Sequence, residues 1–287
     1  MTSPFPIALT IHPTRHEARR VAAQLLHALE RAGAEVWLLG DTAAVLQRSD
    51  LGCEEEHAHR AGLIISVGGD GTTLRAARYA RGVPVLAVNV GSMGFLTTAE
   101  PEEALGSVDK IKMAKYAVME RMALEVVSIT GDANVLEKQF YPVALNEVSV
   151  EKRDAQRLVE IEVTIDRTML TSYRADGVLV STPTGSTGYA FSVHGPLVDP
   201  DVEAILVVPV APHGLFDRTI VSPATSVVEL TIRADRPAEI ALDGQRWAVM
   251  GPGARCVVGR AAEPVRFALL RPPRPFLERV RNKFGLD

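Results

Sequence analysis

Three short stretches of this sequence gather residue types that handle phosphate and hydroxyl groups. The first is Gly68-Gly69-Asp70-Gly71-Thr72-Thr73, reached through the apolar run Leu63 to Val67. Glycines lack a Cβ, can take positive φ and let backbone N–H groups close on an anion. The two threonines open a helix, whose N-terminus favours negative charge. On this reading Gly68, Gly69, Gly71 and Thr72 hold phosphate. Asp70 cannot, because two negative groups repel; its carboxylate holds a metal ion, takes a proton or bonds a hydroxyl. The plain alternative is a tight turn with an aspartate capping the next helix. The sequence contains no G-x-x-x-x-G-K-[ST], and Gly69-x-Gly71 lacks the third glycine of G-x-G-x-x-G, so neither common phosphate motif applies.

The second stretch is Asn146-Glu147, set between an apolar run and Val148-Ser149-Val150. As neighbours on a strand they would point to opposite faces, leaving one of them in solvent. Further on, Arg174 and Asp176 place a base and an acid before the strand-like Val178-Leu179-Val180; a surface ion pair is the alternative there. The third stretch follows at once. Ser181 to Tyr189 holds five Ser or Thr hydroxyls and two glycines in nine residues, a set of small donors suited to ribose hydroxyls and phosphate oxygens. Thr184, Gly185 and Ser186 are its candidate phosphate contacts, and Ala190 and Phe191 start a helix.

The elements that must position these residues divide the chain. Ile7 to Ile11 reads as a strand, and Thr14-Arg15-His16-Glu17 matches a capping box. Ala18, Val21, Ala22, Leu25, Leu29 and Ala32 then recur at helical spacing, with Gly33 where a C-cap belongs. Val36 to Leu39, Leu63 to Val67 and Val85 to Val88 give further strands. This alternation predicts a parallel sheet covered on both faces over residues 1–110, with ligands at the carboxyl ends of its strands. Residues 111–265 are β-rich, with short runs at Leu124 to Ile129, Val143 to Val150, Leu158 to Ile165, Gly177 to Ser181, Ala204 to Val208, Val227 to Ile232, Glu239 to Leu242 and Arg255 to Val258; stacked antiparallel sheets are expected. In residues 266–287 a strand, Arg266 to Leu270, precedes Pro272, Pro273 and Pro275. A short helix follows, with Phe276, Leu277, Val280 and Phe284 as its apolar face, expected to dock back on the first domain.

Composition narrows the classes. The 287 residues, 47% of them hydrophobic, suffice for two ordinary cores. A net charge of -4 with scattered basic residues gives no footprint for nucleic acid. There is no signal-peptide pattern and no apolar run of membrane-spanning length, so a cytoplasmic protein without membrane partners is expected. Cys53 and Cys256 have no metal-ligand spacing, and no metal ligands are identified from the sequence.

The stretches VGGDGTTLRAA, ALNEVSVEK, RADGVLVSTPTGSTGYAFS, VPVAPHGLFDR and LDGQ, in this order, resemble those of NAD kinases, bacterial ones in particular, across about residues 60 to 250. The resemblance implies an α/β fold with a Rossmann-like N-terminal domain and a β-sandwich-like, NAD-binding C-terminal domain. It implies transfer of the γ-phosphoryl of ATP, or of polyphosphate in some members, to the 2′-hydroxyl of the adenosine ribose of NAD, with a divalent metal such as Mg²⁺, in a homodimer or homotetramer. It makes Asp70 the catalytic base and places Gly71 and Arg75 at the NAD. Asn146 and Glu147 would hold the adenine-side ribose and base, and Arg157, Arg174 and Asp176 would line the nicotinamide side. Thr187, Gly188, Tyr189, Ala190, Phe191 and Ser192 match a second nucleotide loop, with Ala211 and Gln245 as further contacts. Three departures stand out: Gly188 in place of the usual alanine, His194 at a usually small position, and Asp217-Arg218-Thr219 without the usual proline. GGDGT also occurs in diacylglycerol and sphingosine kinases, so a lipid kinase is one alternative. A non-catalytic nucleotide sensor of the same fold is the other.

Overall fold

The computed structural model describes residues 5–135, 143–233 and 235–286. They form two compact units, one of Met1–Glu120 together with Val265–Asp287 and one of Arg121–Pro264.

The first unit runs β1 (Ile7–Ile11), α1 (His16–Arg31), β2 (Val36–Leu39), α2 (Thr42–Leu46), β3 (Gly52–Cys53), β4 (Leu63–Gly68), α3 (Asp70–Arg78), β5 (Val85–Asn89), α4 (Pro101–Gly106), α5 (Val108–Lys112) and β6 (Ala117–Arg121). The second holds β7 (Leu124–Thr130), β8 (Ala133–Val135), β9 (Glu147–Lys152), β10 (Val159–Ile165), β11 (Thr168–Ala175), β12 (Gly177–Ser181), α6 (Tyr189–Ser192), β13 (Ala204–Val210), β14 (Ile220–Pro223), β15 (Val228–Ile232), β16 (Ala238–Leu242), β17 (Gln245–Met250) and β18 (Arg255–Arg260). β19 (Val265–Leu269) and α7 (Phe276–Phe284) complete the first unit.

The sheet of the first unit has the order β3-β2-β1-β4-β5-β19-β6, and its pairs from β3 through β19 are parallel. The chain winds outward from β1 to β3 and then restarts on the other side at β4. The strand order therefore reverses between β1 and β4, the place where such sheets leave a crevice beyond the strand ends. Every residue of β1, β4 and β5 is buried, as expected of strands covered on both faces. Helix α1 buries Ala18, Val21, Ala22, Leu25, Leu26 and Leu29 as one stripe. Its start differs from expectation: Arg15 is the N-cap and no side chain caps it. Thr14 lies one residue too early to reach the first turn, and the capping box occurs instead at α4, between Glu100 and Glu103. Gly33, at φ 77°, does end α1 in the left-handed region.

The second unit stacks two antiparallel sheets, β11-β10-β15-β18-β7 and β14-β13-β12-β9-β16-β17-β8. Their inner faces share one core that includes Val150, Ile161, Val178, Val207, Leu230, Ile240, Trp247 and Cys256. On the outer face of the larger sheet, Leu179, Leu206, Val208 and Val210 pack under Ala190, which fixes α6 to the sheet. The run expected as a strand from Val143 pairs continuously only from Glu147, after an isolated bridge between Ala144 and Leu124.

Candidate active site

Beyond the carboxyl end of β4 the chain turns at Gly69 and enters α3 at Asp70, two residues before the expected start. The glycines serve close approach here, which corrects the expectation of positive φ. Gly69 has φ -106° and neither Gly68 nor Gly71 is left-handed. A Cβ on Gly68 would run into the Thr72 side chain, whereas one on Gly71 would meet nothing, so open space lies over that residue. Arg15 donates from Nη1 to the Val90 carbonyl at 2.6 Å, which sets a guanidinium beside Gly69 and Gly91.

The half-buried Asp70 carboxylate is held on both oxygens. Oδ2 accepts the Phe95 N–H and Oδ1 the Leu96 N–H, each at 2.9 Å. Gly94 makes this possible, since a Cβ there would collide with the carboxylate. Each oxygen keeps a second lone pair for a ligand hydroxyl.

In the second unit, Asn146 and Glu147 converge, against the expectation of opposite faces. Asn146 precedes the first paired residue of β9, so strand alternation does not bind it. The Asn146 Nδ2 and Glu147 Oε2 atoms both lie near Gly188, 3.1 and 3.3 Å from where a Cβ on that glycine would be. Asn146 Oδ1 and Glu147 Oε2 are buried and accept no hydrogen bond from the described residues. Two unsatisfied acceptors side by side are costly unless a donor arrives; a vicinal diol would supply two. Burial pushes Glu147 up to about 8, with the charges of Asp243 and Glu151 adding to it and the Tyr189 amide opposing. The empty site therefore holds Glu147 well above the ordinary carboxylate range.

Asp243 fixes this pair. Its carboxylate accepts the N–H of Leu145 at 2.9 Å, of Asn146 at 2.7 Å and of Glu147 at 3.1 Å. Asp243 and Gly244, at φ 48° and 75°, form the left-handed turn between β16 and β17, which is why an Asp-Gly pair sits there. Of LDGQ, the resemblance singles out Gln245 as a contact. The Asp-Gly turn was visible, but its target, 96 to 98 residues away, was not.

The hydroxyls after β12 are turned inward, which corrects their reading as a donor surface. Ser181 donates to the Asn146 carbonyl at 3.1 Å and Thr182 to that of Leu145 at 2.6 Å. Ser186 bonds the Val198 backbone, and Thr187 donates to Thr184. Ser181, Thr182, Thr184 and Ser186 are buried, and a Cβ on Gly185 would strike the Asn146 backbone. Ser181, Thr182 and Gly185 thus brace Asn146, while Ser186 and Thr187 tie down the loop itself. Tyr189 is half-buried and donates its hydroxyl to Glu151 at 3.0 Å, with burial first and the Glu151 charge second pushing the phenol up to about 12.

The other expected site residues have partners or settings of their own. Arg75 is engaged, its Nε 2.8 Å from Glu55 and its Nη2 3.3 Å from the Thr10 hydroxyl. Asp176 pairs with Lys152 at 2.6 Å. Arg157 lies 3.9 Å from Asp154 on an exposed turn, and Arg174 and Gln245 are exposed. Ala211 has φ 46° at the end of β13. Ala190 is the buried residue of α6, while Phe191 and Ser192 face outward. His194 is left-handed, φ 64°, just past α6. No group of three or more His, Cys, Asp or Glu side chains among the described residues forms a metal cage, and no helix among them is long and apolar enough to cross a membrane.

The profile of the ATP-NAD kinase N-terminal domain matches residues 7–116, and that of the C-terminal domain residues 145–270. NAD kinase 2 of Streptomyces avermitilis is 38% identical over 98% of this chain and 94% of its own length. The NAD kinase of Corynebacterium jeikeium is 38% identical over 98% of this chain and 87% of its own. Among solved structures, an NAD kinase from Archaeoglobus fulgidus in complex with ATP is similar with TM-score 0.74 and 27% identity, over 98% of this chain and 97% of that one. Yeast NADH kinase complexed with NADH shares the fold with TM-score 0.84 and 22% identity, over 98% and 88% of the two chains. Matched in both halves and along nearly its full length, the chain belongs to the ATP-NAD kinase family.

Proposed function

We propose that the chain transfers the γ-phosphoryl of ATP to the 2′-hydroxyl of the adenosine ribose of NAD, giving NADP, with its residues in the following roles. The observation that carries the reading is the pair of buried, unsatisfied acceptors on Asn146 and Glu147. The adenine-side ribose and base of NAD offer donors that these acceptors take, with Gly188 leaving the space and the 2′-hydroxyl proton left to Asp70. Asp70 takes the proton of the 2′-hydroxyl as it attacks phosphorus, and the amides of Phe95 and Leu96 hold its carboxylate in place. Gly69, Gly71 and the first turn of α3 receive the donor's phosphates. Ser181, Thr182 and Gly185 brace Asn146, and Ser186, tied to the Val198 backbone, holds the loop that carries them.

A divalent ion fits this reading as part of the donor. Mg²⁺ is commonly held by substrate phosphates with one or two carboxylates and needs no cage of three protein ligands; when bound it neutralises charge on the phosphates. The resemblance further supports a cytoplasmic homo-oligomer with nucleotides as its small-molecule partners. Neither the lipid kinase nor the sensor alternative draws support from the comparisons.

The test is NADP formation by purified protein with NAD, ATP and Mg²⁺, with a diacylglycerol acceptor as control. Asp70→Asn should lower kcat roughly 10²–10⁴-fold, with NAD affinity changed less than about tenfold. Near-normal turnover by this variant would remove Asp70 from the chemistry.

A further inference from the structure

We propose that Arg279 in the C-terminal helix is a positioning residue for the reaction, acting on Asp70 through the peptide group that joins Phe95 to Leu96. The inference rests on the reading of Asp70 as the base. That carboxylate takes its orientation from two consecutive amides, Phe95 and Leu96, in a stretch of chain without helix or strand. A loop cannot aim its own amides unless something fixes its peptide planes. Arg279 does so, donating from Nη1 to the Phe95 carbonyl at 2.6 Å.

The Phe95 carbonyl and the Leu96 N–H belong to one planar, trans peptide group, so they point in opposite directions. With the oxygen on Arg279 and the N–H on Asp70 Oδ1, rotation of this plane breaks both bonds together. The guanidinium also polarises the peptide and strengthens its N–H as a donor to the carboxylate. The rest of the helix acts on the same loop. Lys283 donates to the Met93 carbonyl at 2.8 Å, and the Phe284 ring lies tilted against Phe95, centroids 6.3 Å apart. Apolar docking of α7 is thin by comparison, with Val280 the buried residue in it and Leu277 73% exposed. The helix holds the loop chiefly by polar and ring contacts.

The experiment compares full-length Arg279→Gln, Arg279→Lys and Val280→Ala by steady-state kinetics and thermal melting, assayed well below every melting temperature. Arg279→Gln should lower kcat about 10–100-fold, the cost of a displaced catalytic group, with the KM for NAD changed less than about threefold. Arg279→Lys keeps a charged donor and should recover part of the loss, remaining about three- to tenfold below the parent. Val280→Ala loosens the helix without touching the loop, so it should lower the melting temperature and leave kcat within about twofold. Unchanged kcat in Arg279→Gln overturns the inference, as does a fall in Val280→Ala that tracks melting equally. Should Arg279→Gln not fold, unchanged kcat in Arg279→Lys overturns it. An inactive Asp70→Asn beside a normal Arg279→Gln sinks this inference alone, whereas an active Asp70→Asn removes the reading on which it rests.

Discussion

Replacing Glu147 by Gln should make the ligand-free protein more stable, by an amount that depends on pH. Burial and the charges of Asp243 and Glu151 push Glu147 from an ordinary value of 4.5 to about 8. Between those two values the folded chain keeps a proton that the unfolded chain has released. The unfolded state binds fewer protons there, so stability falls as pH rises through this window and levels off above it. Each pH unit of mismatch costs about 1.36 kcal/mol, so the loss at pH 7 is on the order of 3 kcal/mol, and it is under about 1 kcal/mol at pH 5. Gln carries no such proton and still offers an oxygen to the Tyr189 amide. The variant should therefore melt above the parent by roughly 6–12 °C at pH 7 and by about 4 °C or less at pH 5, at about 2–4 °C per kcal/mol. Scanning calorimetry of both proteins without nucleotide at pH 5, 6, 7 and 8 and constant ionic strength measures this. Parallel curves with a pH-independent offset would refute the assignment of a buried, protonated Glu147. The same substitution should weaken NAD by about 1.5–3 kcal/mol as judged from KM, with a much smaller change for ATP. Stability gained where binding is lost is the signature of a residue kept for function.

Gly94→Ala forces a methyl group onto the Asp70 carboxylate; kcat should fall by more than about tenfold while NAD binding by calorimetric titration stays near normal, since positioning of the base is what suffers. Asp243→Ala strips the acceptor from three consecutive amides and should cost about 2–4 kcal/mol of stability. Hydrogen exchange at residues 145–147 should speed up in that variant, and unchanged protection there would contradict the clamp.

The parallel sheet was readable because its strands are short, wholly apolar and punctuated. Leu63 to Val67 ends in glycines, and the period of α1 is helical throughout. β3, β8 and β14 are too short to leave a sequence pattern, being two to four residues long, and β11 leaves none because Thr168 to Ser172 are polar or exposed and carry no apolar alternation. The apolar face expected on α7 is partial, since Leu277 and Phe284 are exposed. Within the candidate site, residue types indicated that Asp70, Asn146 and Glu147 matter, but not what holds them. Asp243 and Arg279 act across separations of 96 to 98 and 184 residues, and only folding brings such partners together. The hydroxyls of Ser181 to Thr187 misled for a related reason. A small donor looks the same in sequence whether it meets a ligand or a backbone carbonyl.

The place of β19 in the first sheet has a consequence for how the chain is made. Synthesis delivers β1 through β6 first, yet β19 lies between β5 and β6, and the second unit, Arg121–Pro264, is translated before it. That second unit is one uninterrupted segment and can close as soon as it leaves the ribosome, since domains fold largely as units in order of emergence. The first unit cannot: until residues 265–269 emerge, β5 has a bare edge and β6 has no neighbour in the sheet. The half that begins synthesis is thus the half that finishes folding last. The loop that aims Asp70 is secured later still, when Arg279 and Lys283 arrive, so a nascent chain carries the GGDGT turn for most of its synthesis without the contacts that set its carboxylate.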